Sequence, residues 1–168
     1  MKIPVNPVPL GLGLLVVAAG IAGMFYMQRG AHIELKGSIL KVRTQAMDEN
    51  SSVAVVDFRF VNPSNYPFMV KEVVVTMEDK DGKTLEGSPV SELDARRLFQ
   101  YYPLLGEKYN DSLLMRDKIP ARQTMDRMIV ARFEVPESAL QSRKKLKVRI
   151  VDVDGPEAEL QEGKSSND

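Results

Sequence analysis

The chain has 168 residues with 23 basic and 23 acidic side chains, so its formal net charge is zero and no global field draws it onto nucleic acid. That length allows one domain with a modest appendage, and 43% hydrophobic with 27% charged residues argues for a folded core. There is no cysteine and one histidine, His32. This excludes a disulfide framework and a cysteine nucleophile, and leaves multi-histidine metal binding or a serine–histidine triad a poor fit.

The first element is an uncharged run, VPLGLGLLVVAAGIAGMFYM, from Val8 to Met27. At 1.5 Å per residue, about twenty helical residues reach ~30 Å, the thickness of a bilayer's hydrocarbon core. Phe25 and Tyr26 suit the lipid–water interface, and Arg29 follows. The run predicts one transmembrane helix over about 8–27, within an N-terminal segment 1–30. A cleaved signal peptide is the competing reading: Lys2 supplies a charged start and Gly20-Ile21-Ala22 a small-x-small site. The apolar stretch is longer than the ~7–15 residues usual for a signal peptide. Ala18/Ala22 and Ala19/Gly23 fall at helix-packing spacing, a pattern that composition alone often produces. Lys2 lies on one side of the run, and Arg29, Lys36, Lys41 and Arg43 on the other. That count favours a cytoplasmic C-terminal side, but folded segments translocate largely regardless of charge. The expectation adopted is a single-pass protein of the cell membrane with an extracytoplasmic domain.

From residue 31 the period changes to two. HIELKGSILKVRT predicts a strand, with a bulge at Gly37 that lets Ile33 and Leu35 share a face with Leu40 and Val42. SVAVVDFRFV (52–61) predicts a second, with Ala54, Val56, Phe58 and Phe60 on one face and Asp57 and Arg59 on the other. MVKEVVVTM (69–77) is β-branched and predicts a third, followed by a tight turn at Asp81-Gly82 and a short strand at Thr84–Glu86. Between the second and third strands, Pro63 and Pro67 interrupt the ladder, and Asn62 and Asn65 can bond nearby backbone; this predicts a redirecting connection. A helical insertion is predicted over about 88–111, its helix capped near Ser91 and stopped at Pro103. LLMRDKIPARQT (113–124) predicts a further strand before a turn at Pro120. DRMIVARFEV (126–135) and KLKVRIVDV (145–153) predict the last two. The polar residues 156–168 predict a disordered tail.

The stretch VDFRFVNPSNYPFMVKEVVVTM resembles the core of the late-embryogenesis-abundant type 2 family, also called the water-stress and hypersensitive-response (WHy) domain. The matching residues are Phe58, Phe60, Asn62, Pro63, Pro67, Val70, Val73 and Val75. The resemblance covers residues 52–78 and, less closely, 119–153; the insertion has no counterpart in the pattern. It implies an immunoglobulin- or fibronectin-like antiparallel β-sandwich, often behind a membrane anchor, with no catalytic residues to carry over. The domain expected is thus a mainly β sandwich over 31–155, with a helical insertion and one preceding transmembrane helix.

Candidate site residues concentrate in the insertion. Arg96, Arg97, Phe99, Tyr101, Tyr102 and Tyr109 combine the residue types enriched at protein interfaces. Equally, the rings could pack the insertion onto the strands. Asp79, Asp81, Asp152 and Asp154 form two D-x-D-G sequences that read as turns, since neither continues into a calcium loop. Arg143, Lys144, Lys145 and Lys147 read as a solvated turn, with anionic headgroups as the other option. No nucleophile–base pair, paired carboxylate motif, cofactor motif or metal-ligand spacing is visible. The expected role is non-catalytic binding or structural support at the cell envelope, with the bilayer and a protein as partners and no nucleic acid. Two alternatives stand: an accessory subunit of an envelope assembly docking through residues 91–109, and a secreted domain released by signal cleavage.

Overall fold

The computed structural model describes Gly13, residues 17–23 and residues 34–162. The chain divides into two compact units, Met1–His32 and Ile33–Asp168. In the first, Gly13 and residues 17–23 are helical. Among the described residues no helix is long and apolar enough to cross a membrane. The remainder of the span expected at 8–27 lies outside the described residues.

The second unit is mainly β. Its strands are β1 (Lys36–Ala46), β2 (Ser52–Val61), β3 (Phe68–Glu78), β4 (Thr84–Pro89), β5 (Lys118–Ile119), β6 (Thr124–Phe133), β7 (Lys145–Asp152) and β8 (Glu157–Gln161). Two short helices interrupt them, α1 (Glu92–Tyr101) and α2 (Glu137–Gln141), with a 3-10 turn at Pro103–Leu105. The strands pair antiparallel in the order β1-β2-β6-β4-β3-β7-β8, with β5 on β3. The β4–β6 link is narrow, consisting of Ser88 opposite Arg132 and Pro89 opposite Ala131. A bridge between Ile39 of β1 and Glu162, just after β8, brings the two ends of the order together. One path of pairing thus runs nearly all the way round.

The alternation in the sequence sets the core. Ala54, Val56, Phe58 and Phe60 of β2 point inward, with Ile129, Ala131 and Phe133 of β6 and Leu146, Val148 and Ile150 of β7. The rings of Phe58 and Phe60 stack at 5.9 Å between centroids. β2 and β6 are buried on their outer faces too. There Val53, Val55, Met128 and Val130 form a second cluster with Ala95 and Leu98 of α1 and Leu105. Strands covered on both faces lose the apolar–polar alternation. That is why β2 begins with the unbroken run Val53–Val56.

Three sequence expectations are corrected. The bulge in β1 lies at Leu40, not Gly37: the pairing steps from Ile39–Phe58 to Lys41–Asp57. Leu40 is therefore exposed instead of sharing a face with Leu35 and Val42. Gly37 has a different reason to be glycine, because a Cβ there would lie 2.1 Å from the backbone oxygen of Arg59. The strand expected within 113–124, before the turn at Pro120, shrinks to the two residues of β5. The preceding segment instead fills the gap between β6 and β3: Leu113 N donates to Met128 O, and Arg116 N to Val70 O. Finally, within the tail expected to be disordered over 156–168, Glu157–Gln161 form β8, while residues 163–168 lie outside the described residues. Ala158 and Leu160 are fully buried, and Lys147–Glu159 (3.0 Å) and Arg149–Glu157 (3.2 Å) pair across to β7.

The Pro63–Pro67 connection does redirect the chain, and Asn62 is its fastener. Its buried Nδ2 donates to the carbonyls of Tyr66 (2.8 Å), Pro120 (3.2 Å) and Ile119 (3.3 Å). Its Oδ1 accepts from Ser64 N and Ser64 Oγ. At the opposite end of the sheet, Glu137 of α2 caps the free edge of β1. Its carboxylate accepts from Thr44 Oγ1 at 2.8 Å and from the backbone N–H of Ala46 at 3.1 Å.

Candidate functional site

The insertion between β4 and β5 carries the candidate site. α1 begins where Ser91 Oγ accepts from Asp94 N, with Glu92 and Asp94 complementing the positive end of the helix. It ends before Pro103, whose ring fixes φ and starts the 3-10 turn. Leu98 and Ala95 face the second cluster, with Phe99 and Tyr102 packed against it.

The six predicted residues separate into two groups. Phe99 and Tyr102 are packing residues, as the alternative reading had it. Tyr101 (80% exposed) and Tyr109 (65%) project outward, and so does Leu104, at 94% the most exposed of the large apolar side chains described. Arg96 pairs with Glu92 at 3.0 Å and Arg97 with Asp94 at 3.3 Å along the outer face of α1. Arg97 and Tyr101 also line a groove of about 350 Å³ whose apolar lining is Met47, Val53, Val90 and Leu98.

Arg43 organises this region, and sequence reasoning did not single it out. It lies on the outer face of β1, with its side chain 9% exposed. Nη1 donates to the carbonyls of Leu105 (2.6 Å) and Glu107 (2.8 Å), and Nη2 to Asp57 Oδ2 (2.7 Å). The guanidinium lies 5.2 Å from the centroid of Phe99 and 5.4 Å from that of Tyr109, within cation–π range. Asn110 Nδ2 completes the set by donating to Asp57 Oδ1 at 2.9 Å. One planar cation thus binds the 3-10 turn and the following loop to β1 and β2. A lysine could not bond and stack in this way.

A second tie is Lys108 to Glu92, at 2.7 Å. Burial alone would raise the Glu92 carboxyl, but Lys108, Ser112 and Arg96 outweigh it and bring it down to about 2. The carboxylate stays ionised and holds the loop after the 3-10 turn to the start of α1.

The two D-x-D-G sequences are turns. Asp79 Oδ1 accepts from the N–H groups of Asp81 and Lys83, and Asp152 Oδ1 from that of Asp154. In the basic stretch, Arg143 pairs with Glu162 and Lys147 with Glu159.

No protein-family model matches the chain, and no curated protein matches it. A solved structure titled as the Iho670 flagellar-like filament aligns over 94% of this chain and 98% of that one, at 11% identity and a TM-score of 0.32. A score that low carries no argument about fold or function.

Proposed function

We propose that this is a single-pass, membrane-anchored β-sandwich protein of the WHy-like kind, whose domain binds a protein partner and performs no catalysis. The exposed tip of the insertion carries the reading. Tyr101, Leu104 and Tyr109 are uncovered large side chains on a segment that the Arg43 and Lys108 ties hold in place. Large exposed apolar groups are a liability unless something covers them, and a fixed geometry lowers the ordering cost of binding. The uncharged run Val8–Met27 supports the anchor, and anchoring raises the local concentration of partners in the same membrane. An extracytoplasmic domain is the placement adopted.

Crosslinking in native membranes tests the docking role, comparing the wild type with Leu104→Asp and Tyr101→Ala. Both changes fall on exposed side chains and leave the core untouched. A species captured by the wild type is expected to fall several-fold in both variants. Identical capture in all three removes the docking role. Protease treatment of intact cells tests the placement: digestion of the domain supports it, and protection until lysis reverses it.

A further inference from the structure

We propose that a slot on the outer face of β3 receives an extended peptide segment of a partner, which presents a cation, an apolar side chain and a second cation at alternate positions. The site does not include the exposed tip of the insertion, and it rests on neither the anchor nor the docking reading above.

The slot follows from the way β4 changes neighbours. β4 pairs with β3 from Thr84 to Gly87, then leaves it to meet β6 at Ser88 and Pro89. β5 pairs with β3 only at Phe68 and Met69. Between these contacts, Glu72–Val74 have a strand neighbour, β7, on one side alone. The segment Leu113–Met115 bounds the other side of a slot of about 230 Å³, whose apolar lining includes Val74, Val90, Leu113 and Ile129. That volume is below the ~300–1,000 Å³ of pockets that enclose a drug-sized ligand, and it suits one large side chain. The wall is set before anything binds. Leu113 N donates to Met128 O at 2.8 Å, Leu114 N to Asp117 Oδ2 at 2.9 Å and Arg116 N to Val70 O at 2.7 Å. A fixed wall spares an incoming group the cost of ordering it.

Charge and spacing identify the occupant. Val73 and Val75 belong to the core cluster, so Glu72, Val74 and Thr76 point outward. Glu86 is opposite Thr76 on β4 and points the same way. Val74, 5% exposed, is thus an apolar floor with a carboxylate beyond it in each direction along the strand. Glu72 and the level of Glu86 are four residues apart, ~14 Å at ~3.4 Å per residue. Both are exposed, and among the described residues neither is held in an ion pair. Arg149, opposite Val74 on β7, is engaged by Glu157 at 3.2 Å.

An extended peptide repeats this geometry. Its side chains at i, i+2 and i+4 share one face, and i and i+4 are ~14 Å apart. A basic residue at each end meets Glu72 and Glu86, and the apolar residue between them enters over Val74. In this chain, cations four apart enclose Pro120, Lys145 or Lys147, so a second copy does not carry the pattern.

Fluorescein-labelled peptides test the assignment by anisotropy. Full-length protein in phosphatidylcholine nanodiscs is titrated with a peptide containing Lys-Thr-Leu-Thr-Lys, with its isomer Lys-Lys-Leu-Thr-Thr, and with a form of the first that has alanine at its centre. The first is expected to bind several-fold more tightly than the other two. It is expected to lose that advantage in the Glu72→Gln/Glu86→Gln protein, whose substitutions are exposed and leave the core untouched. Equal binding of the two isomers, binding unchanged by the double substitution, or no binding of any peptide up to millimolar concentration overturns the proposal. Sedimentation of both proteins without peptide covers the other occupant: self-association that the double substitution abolishes would give the slot to a second copy and overturn the proposal too.

Discussion

Asn62 shows how one side chain joins parts of the chain that sequence reading treats separately. The Asn-Pro pair was legible as the end of a strand. Its hydrogen bonds to Ile119 and Pro120 were not, because those residues are 57 and 58 positions away and no local pattern links them. Asn62→Ala would take the amide donor from the carbonyls of Ile119 and Pro120, while the Tyr66 carbonyl keeps Ser64 Oγ, at about 1–3 kcal/mol for each group that water cannot reach. We expect a loss of about 3 kcal/mol in urea denaturation with the slope unchanged. A change below about 0.5 kcal/mol, within the usual range for surface substitutions, would mean that water replaces the amide. Arg43 was missed for a related reason. Its neighbour Asp57 becomes visible only once the strands are in register. That register is counted from the Met47–Ser51 turn, whose length the sequence left open.

At the scale of the element, local chemistry decided what could be read. α1 was legible because Ser91 and Pro103 mark its ends by well-understood rules. β2, β3, β6 and β7 were legible from alternation and β-branched content. β8 was not, since Glu-Ala-Glu-Leu-Gln is acidic and poor in strand-favouring residues. What makes it a strand is its neighbour: Lys147 and Arg149 on β7 pair diagonally with Glu159 and Glu157, and Lys147 holds the Glu159 carboxyl below its ordinary range. The insertion yields a pH prediction. The Glu92 carboxyl titrates lower in the folded chain than unfolded, so its stabilisation is fully present above about 4.5 and is lost as pH falls through about 2. Glu92→Gln should therefore lower Tm at neutral pH, and its difference from the wild type should shrink steadily as pH falls from 4.5 toward 2. A difference independent of pH would show that Glu92 acts through packing instead.

For the whole molecule, composition and periodicity pointed to a β-rich domain with a helical insertion, and the structure has both. Near-closure was not legible, because it depends on β8 and on the bridge from Ile39 to Glu162. β8 covers the edge of β7 over five residue pairs and adds Ala158 and Leu160 to the core. A chain ending at Gly155 is expected to lose its cooperative thermal transition and its near-ultraviolet circular dichroism. Retention of both, with Tm unchanged, would make β8 dispensable.

Closure leaves the upper part of β1 as an outer rim, and there the carboxylate of Glu137 occupies the Ala46 amide. A strand arriving from another molecule would find that hydrogen-bonding position already filled by a charged group. The small α2 helix thus closes one backbone position of the β1 rim to strand addition.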